Sequence, residues 1–409
     1  MLAANVDSST VAAPANPLAA VVHPNPYPYY ASLAEQRPFD FDTSLGMWVA
    51  AGPQALTAVL SHPACGVRPA GATVPAALAS GPAGDWFGAL VRMTDGASHA
   101  TMKPWLKTRL AELHTERTTL ARLREASHAA YADAYLACGD ALTARLDDFV
   151  FRQPIYALAA WLGVPASQWT DVHDDVRQLV AAMAESAKPS PRADVLARGH
   201  SAVATLRGRA MQWLGGGADS NSWLHGTARR ASCENAIDGD ALTSNIVGLF
   251  TQAHDACAGL VANSLRRLAR HGAAASSSAG TGRSRTALPA NLSLAIAAVG
   301  EVVRRDPPVQ NTRRFLLAPA VIGERTLARG DAILLVLASG PAGASPDDIA
   351  WTFGHGVHAC PGRSPASTIA AVGIQTMLDN EVDLVSTASG TAYHPLGNVR
   401  IARFHEDSQ

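Results

Sequence analysis

The chain has 409 residues, 48% of them hydrophobic, and carries 33 Lys+Arg against 34 Asp+Glu. That supplies enough apolar material for a sizeable core, and the near-zero charge balance excludes the basic footprint of a nucleic-acid binder. The five cysteines (Cys65, Cys138, Cys233, Cys257, Cys360) have no paired spacing, and neither a CxxC nor an HExxH pattern occurs. This argues for a reducing compartment and against a disulfide framework or a zinc site. No run of about 18 uninterrupted apolar residues exists, and no basic segment leads into a long apolar run. A membrane span and a secretory signal are therefore not expected, and the chain is expected to be cytoplasmic.

In chain order, residues 1–22 read as disordered, and Pro24, Pro26 and Pro28 break any helix there. Tyr29–Gln36 reads as a short amphipathic helix, Phe39–Asp42 and Met47–Ala51 as strands around a Ser44-Leu45-Gly46 turn, and Gly52-Pro53 opens a helix through His62. Further on, His99 and Lys103 are four residues apart and share one helical face, where two donors can hold a carboxylate. Alone, such a pair is ordinary surface decoration. Helical patterns follow over Leu120–Leu146, Phe149–Gly163, Trp169–Ala187 and Val195–Leu214. Pro189 and Pro191 separate the last two, and Gly215-Gly216-Gly217 closes the unit.

Asp240–Arg270 is the longest continuous helical pattern. Its apolar residues lie on most faces, which predicts burial through the centre of the protein. Its middle, Thr251-Gln252-Ala253-His254-Asp255-Ala256-Cys257, is nonetheless polar, and buried polar groups cost free energy unless paired or used. Residues 272–288 read as a flexible low-complexity loop. Leu292–Arg305 reads as a helix whose Glu301 and Arg304, three apart, are expected to form a buried bidentate pair. Asp306-Pro307-Pro308 stops it, and strands are predicted over Gln310–Leu317 and Ala332–Leu337.

The most informative stretch is Phe353-Gly354-His355-Gly356-Val357-His358-Ala359-Cys360-Pro361-Gly362. Gly354 and Gly356 permit tight turns, and Gly362 lets the next helix begin close to Cys360. Loop N–H groups can then point at the sulfur. A buried free cysteine in a Gly-rich loop is the ordinary alternative. The spacing Phe-Gly-x-Gly-x-His-x-Cys-x-Gly, however, is matched at every fixed position. A helix over Ser364–Leu378 and short β segments near Val382–Val385 and Arg400–Phe404 complete the chain.

This loop resembles the cysteine-ligand loop of the cytochrome P450 family, and the resemblance extends upstream over most of the chain. It implies a mainly α fold with a small β-rich lobe (α+β), as one haem-binding domain over residues 23–409. It also implies haem b with Cys360 as the iron ligand, a sulfur ligand that favours O–O cleavage, and O2 as co-substrate. Phe353 would pack by the sulfur, with Gly354 and Gly362 shaping the loop. His99, Lys103, Arg314 and His358 would hold the haem propionates, Arg313 being the alternative to Arg314 because the register is open by one residue. Lys103 replaces the family's Arg and lacks its planar fork.

The long helix resembles the family's central helix, with Ala253 leaving room for dioxygen and Asp255 as the acid. Ala256 stands where the family usually has the Thr that assists proton delivery. A substrate hydroxyl, ordered water with Asp255, Thr251 or Gln252, or the use of peroxide are the alternatives. Glu301 and Arg304 match the pair that locks the core behind the haem. The segment between Ser339 and Phe353 is shorter than the family's and lacks its Arg, so either another residue partners Glu301 or the haem pocket is looser.

The function so implied is mono-oxygenation of a small, largely apolar metabolite, in secondary metabolism. Electrons would come from a ferredoxin and its NAD(P)H-dependent ferredoxin reductase, meeting basic residues such as Lys107, Arg109 and Arg363. No nucleic-acid or membrane partner is expected. The rivals are a peroxide-driven haem-thiolate oxygenase and a non-catalytic haem- or ligand-binding protein.

Overall fold

Glycine and proline set many of the element boundaries in the computed structural model, which describes residues 12–113, 117–217, 221–234, 237–278, 288–340 and 351–405. The first element comes earlier than the sequence suggests. The side-chain oxygen of Asn16 accepts the N–H groups of Leu18 and Ala19, Pro17 occupies the first turn, and a one-turn helix follows (α1, Pro17–Ala20). Ala20 and Val21 are fully buried. A cap and two core side chains thus order residues 12–22, which corrects the expectation of disorder there; residues 1–11 lie outside the described residues. Pro28 likewise falls in the first turn of α2 (Tyr27–Gln36), where its missing N–H has no partner to lose, so it starts that helix instead of breaking it.

The strands β1 (Phe39–Asp42) and β2 (Met47–Ala51) form the expected hairpin and lead into α3 (Gly52–Leu60), β3 (Cys65–Gly66), α4 (Pro82–Gly88) and α5 (Gly96–Ala111). The single helix expected over Leu120–Leu146 is two. Gly139, at φ 59°, turns the chain between α6 (Arg117–Cys138) and α7 (Leu142–Leu162), so Leu142–Leu146 belong to the second. Next come α8 (Trp169–Glu185), α9 (Ala193–Gln212) and α10 (Trp223–Glu234).

The central helix α11 (Gly239–Ser278) continues past Arg270, because the Ala-rich stretch after Gly272 is a good helix former. This corrects the reading of residues 272–278 as loop; residues 279–287 lie outside the described residues. The helix α12 (Leu288–Arg305) is followed by β4 (Thr312–Leu316), β5 (Ala320–Ile322), β6 (Arg325–Leu327), β7 (Ala332–Val336) and, after the cysteine loop, α13 (Arg363–Asp379). No strand forms at Val382–Val385. Val385–Thr387 is a 3-10 turn, and the C-terminal segment pairs through isolated bridges, Val309 with Val399 and Tyr393 with Ala402. Of the short segment after Ser339, residues 341–350 lie outside the described residues.

The architecture is mainly helical with a small sheet lobe, as expected. Strand order in the lobe is β1-β2-β7-β4-β3, with β2 parallel to β7 and the other pairs antiparallel; β5 and β6 form a separate ribbon. Helix α11 packs against α7, α12 and α13 at the middle of the helical body, and Ile246, Phe250, Val261 and Leu265 on it are essentially inaccessible. Among the described residues, no helix is long and apolar enough to cross a membrane.

One buried arginine closes the molecule. Arg400, 1% exposed, donates to the carbonyls of Val21, His23 and Pro24, pairs with Asp306 at 2.8 Å, and stacks over the Tyr393 ring at 3.5 Å. Tyr27 donates to the same Asp306.

Candidate active site

The cysteine loop is built from two tight turns, Trp351–Phe353 and Gly356–His358. Gly354 and Gly356 lie at φ 70° and 72°, a region where a Cβ costs about 1–2 kcal/mol. A Cβ on Gly356 would also stand 3.1 Å from the Leu60 carbonyl oxygen. The turns bring the Cys360 N–H back to the Phe353 carbonyl (2.8 Å). The Gly362 N–H donates to the Cys360 sulfur, and α13 starts one residue later. Burial pushes the thiol up, while the Gly362 N–H and the Lys103 ammonium favour the thiolate. The sulfur is therefore surrounded by protein, yet Cys360 keeps open surface. The two facts together describe a thiol on the wall of an interior space. Phe353 lies beneath the Arg363 guanidinium, 5.5 Å from ring centroid to Cζ.

Three elements deliver cationic or donor groups beside this thiol. Helix α5 carries His99 and Lys103, 7% and 9% exposed; β4 carries Arg314, 6% exposed; the loop itself carries His358. Strand alternation decides the register between the two arginines, since Arg313 is exposed. The His99 and His358 rings are 4.1 Å apart. His358 Nε2 donates to Asp95 Oδ1 (2.9 Å), and Asp95 Oδ2 accepts the Val67 N–H (2.9 Å). Burial alone would raise the Asp95 carboxyl, but the His358 bond and the Val67 N–H hold it below its usual range. Burial, followed by the neighbouring His358 and Lys103, pushes His99 down to about 4.

What distinguishes this group is what it lacks. His99 Nε2 and His358 Nδ1 are buried without partners. Arg314 donates to the Arg313 carbonyl (2.9 Å), and among the described residues neither it nor Lys103 has a carboxylate at ion-pair distance. Buried cations without counter-ions are costly. Two histidines, a lysine and an arginine converging beside a thiol suit a flat ligand with two carboxylates, and the donor set therefore fits a haem. Among the described residues, no cluster of three or more His, Cys, Asp or Glu side chains could hold a metal ion.

The central helix comes near this thiol at Cys257. Ala253 and Ala256 are partly accessible. Thr251 Oγ1 and Gln252 Nε2 both donate to the Gly248 carbonyl, at 3.1 and 2.7 Å, so one donor of each is engaged within the helix. Asp255 Oδ1 accepts from His254 Nδ1 (2.7 Å), and His254 is a buried ring stacked on Phe151. Cys257 is buried, and burial followed by the nearby Cys360 pushes its thiol up to about 12, which suits packing better than redox chemistry.

Glu301 on α12 meets three arginines. Its Oε1 accepts from Arg304 (2.5 Å), while Oε2 accepts from Arg267 on α11 (3.0 Å) and Arg305 (2.9 Å). The expected buried bidentate pair is instead a partly exposed cluster, Arg304 being 45% exposed. Arg267 links it to the central helix, the task foreseen for an arginine after Ser339. Sequence reasoning missed three groups here: Asp95, Arg267 and Arg92, the last a buried guanidinium near Asp255. Asp95 had a misleading signal, because it precedes α5 as a cap would, yet it caps nothing.

No protein-family model matches the chain. A curated relative, the cytochrome P450 monooxygenase PikC of Streptomyces venezuelae, is 26% identical over 408 residues, covering 89% of this chain and 86% of its own. Among solved structures, CalO2 superposes with a TM-score of 0.69 at 20% identity, over 92% of this chain and 94% of its own. P450 RauA, solved with a biosynthetic intermediate of aurachin RE, gives 0.67 at 20% identity over 93% and 95%. P450BioI, solved with an acyl carrier protein bearing hexadec-9Z-enoic acid, gives 0.66 at 19% identity over 92% and 97%.

Proposed function

We propose that the chain is a haem-thiolate monooxygenase of the cytochrome P450 family, to which its curated relative and its fold are similar, and that it inserts one atom of O2 into a small organic substrate. The observation that carries this is the thiol of Cys360, met by the Gly362 N–H and flanked by Lys103 and Arg314, which have no carboxylate at ion-pair distance among the described residues. The group is haem b, which supplies dioxygen activation when bound. His99, Lys103, Arg314 and His358 hold its propionates, with Asp95 fixing the His358 ring so that Nδ1 faces the ligand. The Gly362 N–H and Lys103 moderate the sulfur's charge. Buried apolar side chains on α13, which follows the loop, keep water from the sulfur side.

On the opposite side Ala256 offers no hydroxyl, so Asp255 is the protein's remaining acid. His254 orients one of its oxygens and leaves the other available to a water or a substrate hydroxyl. Thr251 and Gln252 shape the helix at Gly248 and leave proton transfer to Asp255. The electron source is a separate ferredoxin with its NAD(P)H-dependent reductase, docking where Lys107 and Arg363 are exposed. Five unpaired cysteines support a cytoplasmic setting. The structural neighbour P450 RauA, solved with a biosynthetic intermediate of aurachin RE, supports a role in secondary metabolism.

The test is the absorption spectrum of the reduced, carbon-monoxide-bound protein. The wild type should give the thiolate band, and Cys360→Ser should lose it together with all oxygenation. A wild-type band typical of histidine ligation overturns the assignment. Ala256 favours one second reading, peroxide-driven oxygenation; turnover with peroxide alone at the rate of the reductase-supported reaction would replace the ferredoxin scheme.

A further inference from the structure

The turn before α5 carries a guanidinium that neither the haem cluster nor the proton route uses. Residues Val91–Met93 form a 3-10 turn pinned to α11. Asn245 Oδ1 accepts the Val91 N–H (2.9 Å), and Asn245 Nδ2 donates to the Ala89 carbonyl (3.0 Å). Leu90 packs so closely over Gly248 that a Cβ there would lie 2.6 Å from Leu90 Cδ2. Arg92 is thus held against the stretch of α11 that runs from Gly248 to Asp255.

Its Nε is buried and has no partner, and the Arg92 guanidinium forms no ion pair among the described residues. Burial pulls its pKa down to about 10; Asp255 is the charge that bears on it, opposing the shift. The residue nonetheless keeps accessible surface, as do Gln252, Ala253, Asp255 and Ala256. The guanidinium is thus hemmed in by protein yet partly accessible, beside a stretch of the central helix that is partly accessible too. An unpaired charge in such a place is expensive to keep.

We propose that Arg92 is the anion anchor of the substrate cavity and that the substrate is a largely apolar organic acid, its carboxylate held by Arg92 and its apolar body lying along Ala253 and Ala256. The proposal rests on the monooxygenase reading and adds the substrate class to it. A single guanidinium presents two parallel N–H donors, which match one planar carboxylate; a dianionic phosphate calls for more cations than this corner offers. Were Arg92 there to neutralise Asp255, the two would stand at ion-pair distance, and they do not. Asp255 gives one oxygen to His254 instead.

The experiment titrates the haem-loaded protein with matched probes, dodecanoate against dodecanamide and cinnamate against cinnamamide. Binding is followed by the shift of the haem band and, independently, by tryptophan fluorescence. The wild type should bind each acid at least about 10-fold more tightly than its amide, the worth of a charge-assisted pair. Arg92→Gln should erase that preference while leaving amide binding unchanged. Equal binding of acid and amide by the wild type overturns the proposal, as does a preference that survives Arg92→Gln. Should Arg92→Gln fail to fold, Arg92→Lys decides: weaker binding of the acids alone supports the anchor, and an equal change for acids and amides overturns it. The carbon-monoxide spectrum of the same preparation tests the haem reading separately. Fluorescence reports binding whichever way that spectrum falls.

Discussion

The two walls of the interior space treat their polar groups in opposite ways. On the cysteine side, His99 Nε2, His358 Nδ1, Lys103 and Arg314 are buried and short of partners. On the central-helix side, Thr251 and Gln252 are tied to Gly248 and Asp255 is tied to His254. A wall that waits for a charged ligand must keep unsatisfied groups, and it tolerates their cost because the ligand offsets it. A wall that meets a variable substrate can satisfy its own groups. Two atoms on the second wall are exceptions, His254 Nε2 and Arg92 Nε, and of the two side chains Arg92 is the fixed cation, so it is the one that points to a charge on the substrate.

Substitutions on the two walls should therefore differ in kind. The largest effect is expected from Arg314→Leu, which removes a buried cation that has no carboxylate at ion-pair distance among the described residues, Asp95 being the nearby charge that bears on it. Haem affinity should fall by about 10- to 100-fold, measured by transfer of haem to an apo-globin acceptor, with little change in the fold of the haem-free protein.

A pH titration sharpens the comparison from the helix side. His173, on α8 beside Asp174 and Tyr156, is held down at about 4 by burial and then by Arg152; Asp174 and Asp148 oppose the shift, and His254 adds to it. The unfolded chain binds that proton near 6.5 and the native protein only near 4. Between those values the unfolded state holds more protons, so native stability falls as pH drops through the window, by up to roughly 3 kcal/mol. Urea unfolding across this range should show the loss, and His173→Gln should flatten it. The smallest effect belongs to Thr251→Val. It removes one intrahelical bond, should cost about 1 kcal/mol or less in thermal unfolding, and should leave haem affinity unchanged. A large haem loss there would erase the distinction between the walls.

These walls were not equally legible in the sequence. The cysteine loop could be read because its glycines are demanded by backbone geometry at fixed offsets, and Gly354 and Gly356 do take positive φ. His99 and Lys103 could be paired by helical spacing. Arg314 could not be told from Arg313 until β4 showed which face was buried. Asp95 was invisible because an Asp ahead of a helix reads as a cap, and only tertiary packing turns it to His358 and Val67. Arg267 was invisible because its partner Glu301 is remote in sequence and already had Arg304 nearby. Element types were mostly right, whereas boundaries failed where one residue decided them: Gly139 splitting a helix, Asn16 starting one, and an alanine run extending another.

Arg400 has a consequence for how the chain is made. Its guanidinium joins residues 379, 377 and 376 positions earlier, at Val21, His23 and Pro24. During synthesis the amino-terminal segment leaves the ribosome long before its clasp exists, so it must wait untethered while the helical body assembles. Final closure thus waits for Arg400, and a nascent chain stalled before residue 400 should leave that segment open to proteases.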